Sequence, residues 1–455
     1  MKSLPHQYDV VIVGGGVAGL FAAYLMARTG LRVAVIEKNP EDRIGEKVCG
    51  DAIGKHHFDA LRIPHPELGF DAEGLFRGVK VVSPDETHEI TIYGDGYALN
   101  RRMFGFRLYR TATLAGAEVY AGHRFQKPIL EGSWLRGVKA LRPDGVSEEF
   151  RAKVVVDASG VAAVVRRSLP SEWWVSESIP PEDFNLTYRE IWSGDIDIDH
   201  DFAWIFLNTS IAPGGYWWLF PKRKGVYNVG LGVQWKKGNP NPKIQFERYV
   251  KSRYRKYISE VIDRGGGIVP TRRPIPCMVW NGFIVIGDAA ATANPVHGGG
   301  IGPAMLSANI AAKVVADAFD RGDFSLNTLW RYHREYHRVY GAKQAALDVL
   351  RMFLQTMTNE GLNFVFRTKL VDGRELYDIG AQGILHQSIL ARADSLLRLI
   401  AKPGFLTKLW KLKQFMDRAR ELYLSFPETP ERYEAWRNEE RKFFESYREW
   451  LAKSS

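Results

Sequence analysis

Cysteine is nearly missing from this chain of 455 residues, which has only Cys49 and Cys277. Two thiols cannot build a disulfide framework or a Cys-rich metal site, so a reducing interior is the default expectation. Long apolar runs are lacking as well. The first, Val10 to Val13, is too short for a signal peptide and leads straight into glycines. No run of about 18 or more apolar residues follows, so no membrane span is expected. Nor is any internal repeat or low-complexity tract evident. These gaps point to a soluble or peripheral protein of the cytoplasm, either free or against the inner membrane surface. There is no acidic excess: Lys and Arg outnumber Asp and Glu by 62 to 52, a formal charge of +10. That balance suits an anionic membrane, a phosphorylated substrate or nucleic acid, and does not choose among them. Basic residues are scattered and the aromatics follow sheet patterns, so no nucleic-acid partner is expected. What the chain does have is bulk. With 45% hydrophobic residues it can bury a large core in two or three lobes.

Residues 8–38 carry the strongest local signal. Tyr8 to Val13 reads as a buried strand closed by glycine. Gly14, Gly16 and Gly19 then fit G-x-G-x-x-G, with Ala18 inside the motif. Such glycines serve a tight turn, close approach of backbone to a pyrophosphate, and helix–strand packing. The Ala- and Leu-rich stretch Leu20 to Thr29 supplies the helix whose N-terminus faces the phosphates. A second strand, Leu31 to Ile36, ends at Glu37, placed to accept both hydroxyls of an adenosine ribose without a 2′-phosphate.

Two later strand ends turn the reading from NAD to FAD. Lys153 to Val156 runs into Asp157-Ala158-Ser159-Gly160, and Phe283 to Ile286 runs into Gly287-Asp288. A carboxylate at a strand end suits polyol hydroxyls, so Asp288 suits a ribityl chain. The run Gly298-Gly299-Gly300-Ile301 brings backbone N–H groups near a flat ring, and the helix after Pro303 points its positive end there. With these four spaced motifs, residues 8–320 resemble the p-hydroxybenzoate hydroxylase-like flavoprotein superfamily. The resemblance implies ribityl binding by Asp288 and backbone contact with the isoalloxazine at Gly300 and Ile301. Arg101-Arg102-Met103-Phe104-Gly105 matches the family's Arg-x-x-Phe-Asp segment, which makes Arg101 the flavin-side arginine. Gly105 replaces the usual Asp, and this puts the capping of that helix in question. Phe125 is implied as a contact beside the adenine.

Two segments set this chain apart within that superfamily. Arg43 to Gly54 resembles a flavin-side loop of geranylgeranyl reductases, which implies that Cys49, Gly50 and Ala52 line the flavin. Pro213 to Pro221 matches the same family's P-x-x-Y-x-W-x-F-P pattern at every fixed position. In a strand, Tyr216, Trp218 and Phe220 project on one face, a wall suited to a long apolar chain. Around them Phe202 to Leu207 and Tyr227 to Trp235 alternate as sheet strands do. The expected architecture is α/β. A Rossmann-like FAD-binding domain (1–169 and 271–330) carries an inserted antiparallel-sheet substrate domain (170–270) and a helical C-terminal region (331–455).

The resemblance implies reduction of geranylgeranyl chains, on prenyl diphosphates or glycerol ethers, in membrane lipid biosynthesis. An isolated trisubstituted alkene is a poor hydride acceptor. A proton must therefore be added as flavin N5 delivers hydride, with Trp218 favouring positive charge and Cys49 or Tyr216 on the proton side. Two readings compete: a flavin monooxygenase or halogenase, which shares the fold, and a flavin-containing electron-transfer or lipid-binding protein without chemistry on the lipid. No second dinucleotide fingerprint is apparent, so the electron donor is NAD(P)H bound transiently or a ferredoxin-like carrier. His333 and His337 stand at i, i+4 without a third ligand, so no metal is expected. Between Lys402 and Arg420, six Lys or Arg with Leu406, Leu409, Trp410, Leu412, Phe415 and Met416 make a basic amphipathic helix, a candidate peripheral membrane contact.

Overall fold

The computed structural model describes residues 5–386 and 403–454. Its fold is α/β and rests on two eight-stranded sheets. In the first, the order is Val279–Trp280, Phe283–Val285, Ser147–Asp157, His6–Val13, Val33–Ile36 and Glu118–Tyr120. A hairpin of Arg124–Glu131 and Trp134–Leu141 extends it from Ser147–Asp157. The central strands pair in parallel, with Val10 opposite both Val33 and Val154. Val10 to Ile12, Val33 to Ile36 and Val154 to Val156 are buried, as parallel strands covered on both faces must be. Helix α1 (Val17–Ala27) packs against α2 (Arg101–Leu114) and α3 (Ile301–Arg321).

The second sheet runs Ile258–Pro270, Phe184–Gly194, Val226–Gln234, Trp217–Pro221, Phe202–Phe206, Ala72–Val82, Glu89–Leu99 and Ala52–Gly54. It departs from expectation twice. Three of its strands come from residues 52–99, a stretch assigned from sequence to the flavin-binding domain. One junction, Phe202–Phe206 with Ala72–Val82, is parallel in an otherwise antiparallel sheet. The physical reason is backbone satisfaction: without the 72–99 hairpin, Phe202–Phe206 would leave one side of its N–H and C=O groups unpaired.

Strand alternation gives this sheet two different faces. Trp217, Leu219, Phe206, Val229 and Leu231 form one core with Phe246 and Val250 from the helical run 242–257. Trp217 and Phe206 stack at 3.7 Å between ring centroids. On the opposite face Trp218 and Phe220 gather with Phe76, Ala98 and Ala203, and with the half-buried Tyr216 and Ala52.

The C-terminal part is helical and includes α4 (Ala342–Leu354), α5 (Pro403–Leu424) and α6 (Tyr433–Ser454). The apolar stripe proposed to meet a bilayer is spent on the core instead: Leu409, Leu412 and Met416 are buried, with α5 packed on α4. Trp410 stays exposed, whereas Lys402 lies outside the described residues. Among the described residues no helix is long and apolar enough to cross a membrane.

A buried ion network ties α4 and α6 to the rest of the molecule. Arg273 meets Glu440 at 2.5 Å and Asp348 at 3.1 Å. Asp183 takes Arg272 at 3.0 Å and Arg351 at 3.1 Å, and Arg437 pairs with Glu440. Each cation has a carboxylate, so removing one partner would strand a buried charge, at about 3–5 kcal/mol.

Candidate functional site

The C-terminal ends of the first sheet's strands form one side of the site. Gly14 has φ +110°, and a Cβ there would stand 2.4 Å from the Ala158 carbonyl oxygen. A Cβ at Gly19 would fall 1.9 Å from the Gly14 oxygen, so α1 packs directly on the turn. Gly16, by contrast, faces open space at the start of α1, where a phosphate can reach the backbone. Ala18 lies against Gly287, joining this turn to the Gly-Asp segment. Glu37 is held at its strand end by Gly15 N (2.6 Å) and Asn39 N (2.7 Å), and each of its oxygens retains a free lone pair. Gly122 N donates to the Asn39 carbonyl oxygen at 2.8 Å, which fixes the turn ahead of the half-buried Phe125.

Asp157 behaves otherwise than its motif suggests. Its carboxylate is fully buried: Oδ1 accepts from the N and Oγ of Ser159, and Oδ2 from Arg166 N. Burial pushes its pKa up even against those bonds. It shapes the loop from inside and presents no oxygen to a cofactor.

Asp288 and Arg101 form the second side. Asp288 lies beneath Gly300 at the start of α3, where Ile301 is buried. Its Oδ2 accepts from Lys47 Nζ at 2.6 Å. Lys47 keeps half its side-chain surface open, yet dense protein surrounds it and Asp288 raises its pKa. That combination marks a residue facing an internal cleft. Arg101 is 7% exposed, and its Nε and Nη1 have no hydrogen-bond partner. A buried guanidinium left this way is costly unless a ligand satisfies it. Open Gly16, pinned Glu37, Asp288 and the orphaned Arg101 together fit the pyrophosphate, ribose and ribityl groups of FAD.

The departure at Gly105 also has a structural cause. The helix is capped without an aspartate, because Asn100 Oδ1 accepts from Met103 N at 3.2 Å. A Cβ at Gly105 would meet the Gly45 carbonyl carbon at 2.7 Å, so the smallest residue lets α2 touch the flavin-side loop.

The third side is the aromatic face of the second sheet. Asn228 joins it to the loop: Trp218 Nε1 donates to its Oδ1 at 3.0 Å, while its Nδ2 donates to Cys49 O (2.8 Å) and Asp51 (2.9 Å). Lys222 also donates to Asp51, at 2.9 Å. A Cβ at Gly50 would stand 3.2 Å from the Phe220 ring, so the loop lies flat on the aromatics. Tyr216 donates its hydroxyl hydrogen to the His297 carbonyl at 2.6 Å, reaching across to the glycine run before α3. Burial, with a smaller effect of the nearby Cys49, pushes the Tyr216 pKa up. Cys49 itself is a half-buried free thiol. The structure thus brings Cys49, Gly50, Tyr216, Trp218 and Phe220 together, with Ala52 at their edge.

Sequence reasoning missed four residues at this junction: His56, His57, His297 and Lys343. The His57 ring packs on the first turn of α3, where a Cβ at Gly302 would be 2.3 Å away. Burial lowers His57 to about 3 and His297 to about 4, with Lys343 reinforcing both. Lys343 falls to about 8 through burial alone. Both imidazoles are therefore uncharged at neutral pH. The adjacent His56-His57 pair after the Cys49 loop was the available signal; Lys343, on α4, gave none.

The chain is also similar to known proteins. Residues 183–269 match the geranylgeranyl reductase catalytic domain, and residues 9–47 the FAD dependent oxidoreductase family. The chain is 40% identical to a digeranylgeranylglycerophospholipid reductase of Sulfolobus acidocaldarius, covering 96% of this chain and 97% of that one. It is 33% identical to the enzyme of the same name from Methanoculleus marisnigri, over 73% of this chain and 82% of that one. A solved structure described as geranylgeranyl bacteriochlorophyll reductase-like, from Thermoplasma acidophilum, superposes with a TM-score of 0.75 at 26% identity, covering 90% and 100% of the two chains. A myxobacterial chondrochloren halogenase reaches 0.62 at 19% identity over 85% and 95%, a likeness of fold alone. The cofactor these matches imply is FAD, and along nearly its whole length the chain belongs to the digeranylgeranylglycerophospholipid reductase family.

Proposed function

We propose that this protein is an FAD-dependent reductase that saturates the geranylgeranyl chains of glycerophospholipid ethers. The observation that carries the reading is the wall of Tyr216, Trp218 and Phe220, joined through Asn228 to the Cys49 loop. An apolar chain lying on that wall excludes water and presents its double bonds to the glycine run before α3. Bound FAD, when reduced, supplies the hydride.

The chain's own residues supply the rest. Gly16, Glu37, Arg101 and Asp288 hold the cofactor. The Trp218 ring face favours the positive charge that develops as the alkene is protonated. Tyr216 positions rather than protonates, because its hydrogen is committed to the His297 carbonyl. Cys49, with its thiol free, holds the proton delivered to the alkene, directly or through one water. His57 and His297 stay neutral near pH 7 and add no repelling charge. Electrons come from a transiently docked carrier, NAD(P)H or a ferredoxin-like protein.

Anaerobic incubation of the protein, dithionite-reduced FAD and digeranylgeranyl glycerophospholipid tests the reading by mass spectrometry. The expected product gains a hydrogen pair for each double bond. Strict oxygen dependence with oxygen or halide incorporated, or lipid recovered unchanged while a quinone reoxidises the flavin, would overturn it.

A further inference from the structure

The second sheet's outer layer carries a feature that the reaction does not use. Residues 235–257 hold eight Lys or Arg and a single carboxylate, Glu247. The chain here leaves the strand Val226–Gln234, turns through Lys236 and Lys237, and enters the helical run 242–257. Pro242, Gln245, Phe246 and Val250 face the sheet and are buried. On the opposite stripe, Ile244, Arg248 and Arg255 follow at i, i+4 and i+11, all exposed.

Large apolar side chains are interleaved with the cations. Trp235 is 44% exposed and Ile244 63%, with Tyr249 and Tyr257 also open to solvent. Arg248 lies over Tyr249 and Lys256 over Tyr257, so the charged heads sit beside the rings. Two cations are occupied within the fold: Lys251 by Glu190 and Arg253 by Glu86. Lys236, Lys237, Lys243, Arg248, Arg255 and Lys256 have no carboxylate partner among the described residues.

We propose that the surface formed by residues 235–257 docks the enzyme on an anionic lipid bilayer, with Trp235, Ile244, Tyr249 and Tyr257 entering the headgroup layer. The proposal rests on the reading of the substrate as a membrane lipid. Charge complementarity selects the partner: unpaired cations of one sign match an anionic leaflet, and interfacial aromatics between them match its polar–apolar boundary. An RNA or DNA partner would account for the cations but gives an isolated Ile244 nothing to enter. Helix α5 is the weaker candidate, because Lys413 pairs with Asp417, Arg418 with Glu439, and its apolar stripe is buried.

Position supports the same surface. The strand Ile258–Pro270 begins where the surface ends, at Tyr257, and forms the sheet edge. Further along it, a Cβ at Gly265 would stand 2.5 Å from Val48, next to Cys49. One edge strand thus runs from the docking surface to the flavin-side loop, about 25 Å by strand rise. A lipid lifted at one end has a continuous border to follow to the other.

Flotation of the full FAD-loaded enzyme with phosphatidylglycerol and phosphatidylcholine vesicles tests this. The enzyme is expected to float with phosphatidylglycerol only and to be released by high salt. Each cation near an anionic surface is worth about fivefold in partitioning. The variant K236Q/K237Q/R248Q/R255Q should therefore lose on the order of a hundredfold or more. Its turnover of detergent-dispersed lipid should match the parent enzyme, while turnover of vesicle-held lipid falls with binding. The control K411Q/R418Q on α5 should float like the parent. Undiminished flotation of the quadruple variant, loss of flotation in the α5 control alone, or tighter binding to a short RNA or DNA duplex than to vesicles would each overturn the proposal. Failure of the parent enzyme on detergent-dispersed lipid would instead strike the substrate reading, and leaves the flotation result standing by itself.

Discussion

Lys47 and Asp288 meet at 2.6 Å although 241 positions separate them in the chain. The ammonium takes Oδ2 of the carboxylate assigned to ribityl hydroxyls, while Oδ1 accepts no hydrogen bond among the described residues. Substitution Asp288→Ala is expected to raise the FAD dissociation constant roughly ten- to a hundredfold, the worth of a hydrogen bond to a charged group. Titration of flavin fluorescence measures it. An unchanged constant would remove Asp288 from the cofactor site.

Arg101 makes the opposite kind of prediction for the apoprotein. Its guanidinium is buried with two nitrogens unpartnered, so Arg101→Met should leave apoprotein melting unchanged or higher. The same variant should bind FAD at least tenfold more weakly. Differential scanning fluorimetry with and without FAD separates the two effects. A lower apoprotein Tm with normal FAD affinity would make Arg101 a structural residue.

Restoring the superfamily's aspartate, Gly105→Asp, should be harmful here. The new Cβ would press on the Gly45 backbone at 2.7 Å, and overpacking of this kind costs about 1–3 kcal/mol. Chemical denaturation is the measurement, and an equally stable variant would show that the α2 contact with the loop is slack.

These positions mark how far the sequence is legible. Period-two alternation places Tyr216, Trp218 and Phe220 on one face and Trp217 and Leu219 on the other, because pleat geometry is local. Gly14 to Gly19 and Glu37 are similarly readable, since one βαβ unit contains them all. Asp157 misleads because its motif fixes a strand end but not which way the carboxylate turns. Lys47 with Asp288, and His57 with Gly302, depend on segments far apart in sequence that no local pattern connects. That the 52–99 strands join the second sheet was missed for the same reason: the pairing that links them to it, Ala72–Val82 with Phe202–Phe206, spans more than a hundred residues.

Acid should weaken the protein through His337. It is fully buried, neither ring nitrogen has a partner, and burial lowers it to about 3 from its ordinary 6.5. The unfolded chain thus binds the proton more readily. The stability held above pH 6.5 is lost as pH falls toward 3, by about 1.4 kcal/mol per unit. Between pH 7.5 and 4.5, His337→Leu should lose about 2–3 kcal/mol less than the parent in urea denaturation. Parallel losses would mean that His337 does not titrate in this window.

Turnover should separate Cys49 from Tyr216. Cys49→Ala is expected to lower kcat by a hundredfold or more, the usual scale of a lost proton donor. Tyr216→Phe removes one hydrogen bond to the His297 carbonyl and should cost about tenfold or less. Single-turnover flavin reoxidation by lipid, followed anaerobically, measures both. A larger loss in Tyr216→Phe would reverse the assignment.

The ion network between Arg273 and Glu440 also sets an order of events during synthesis. Glu440 follows Arg273 by 167 residues, and Arg273 lies just upstream of the strand Phe283–Val285 that leads to Asp288. A nascent chain that has made both sheets still carries Arg273 without its α6 carboxylate. Asp348 on α4 can pair with that cation first, and its second carboxylate arrives only with α6. The network therefore closes in two steps, α4 before α6, in the order in which the chain is made.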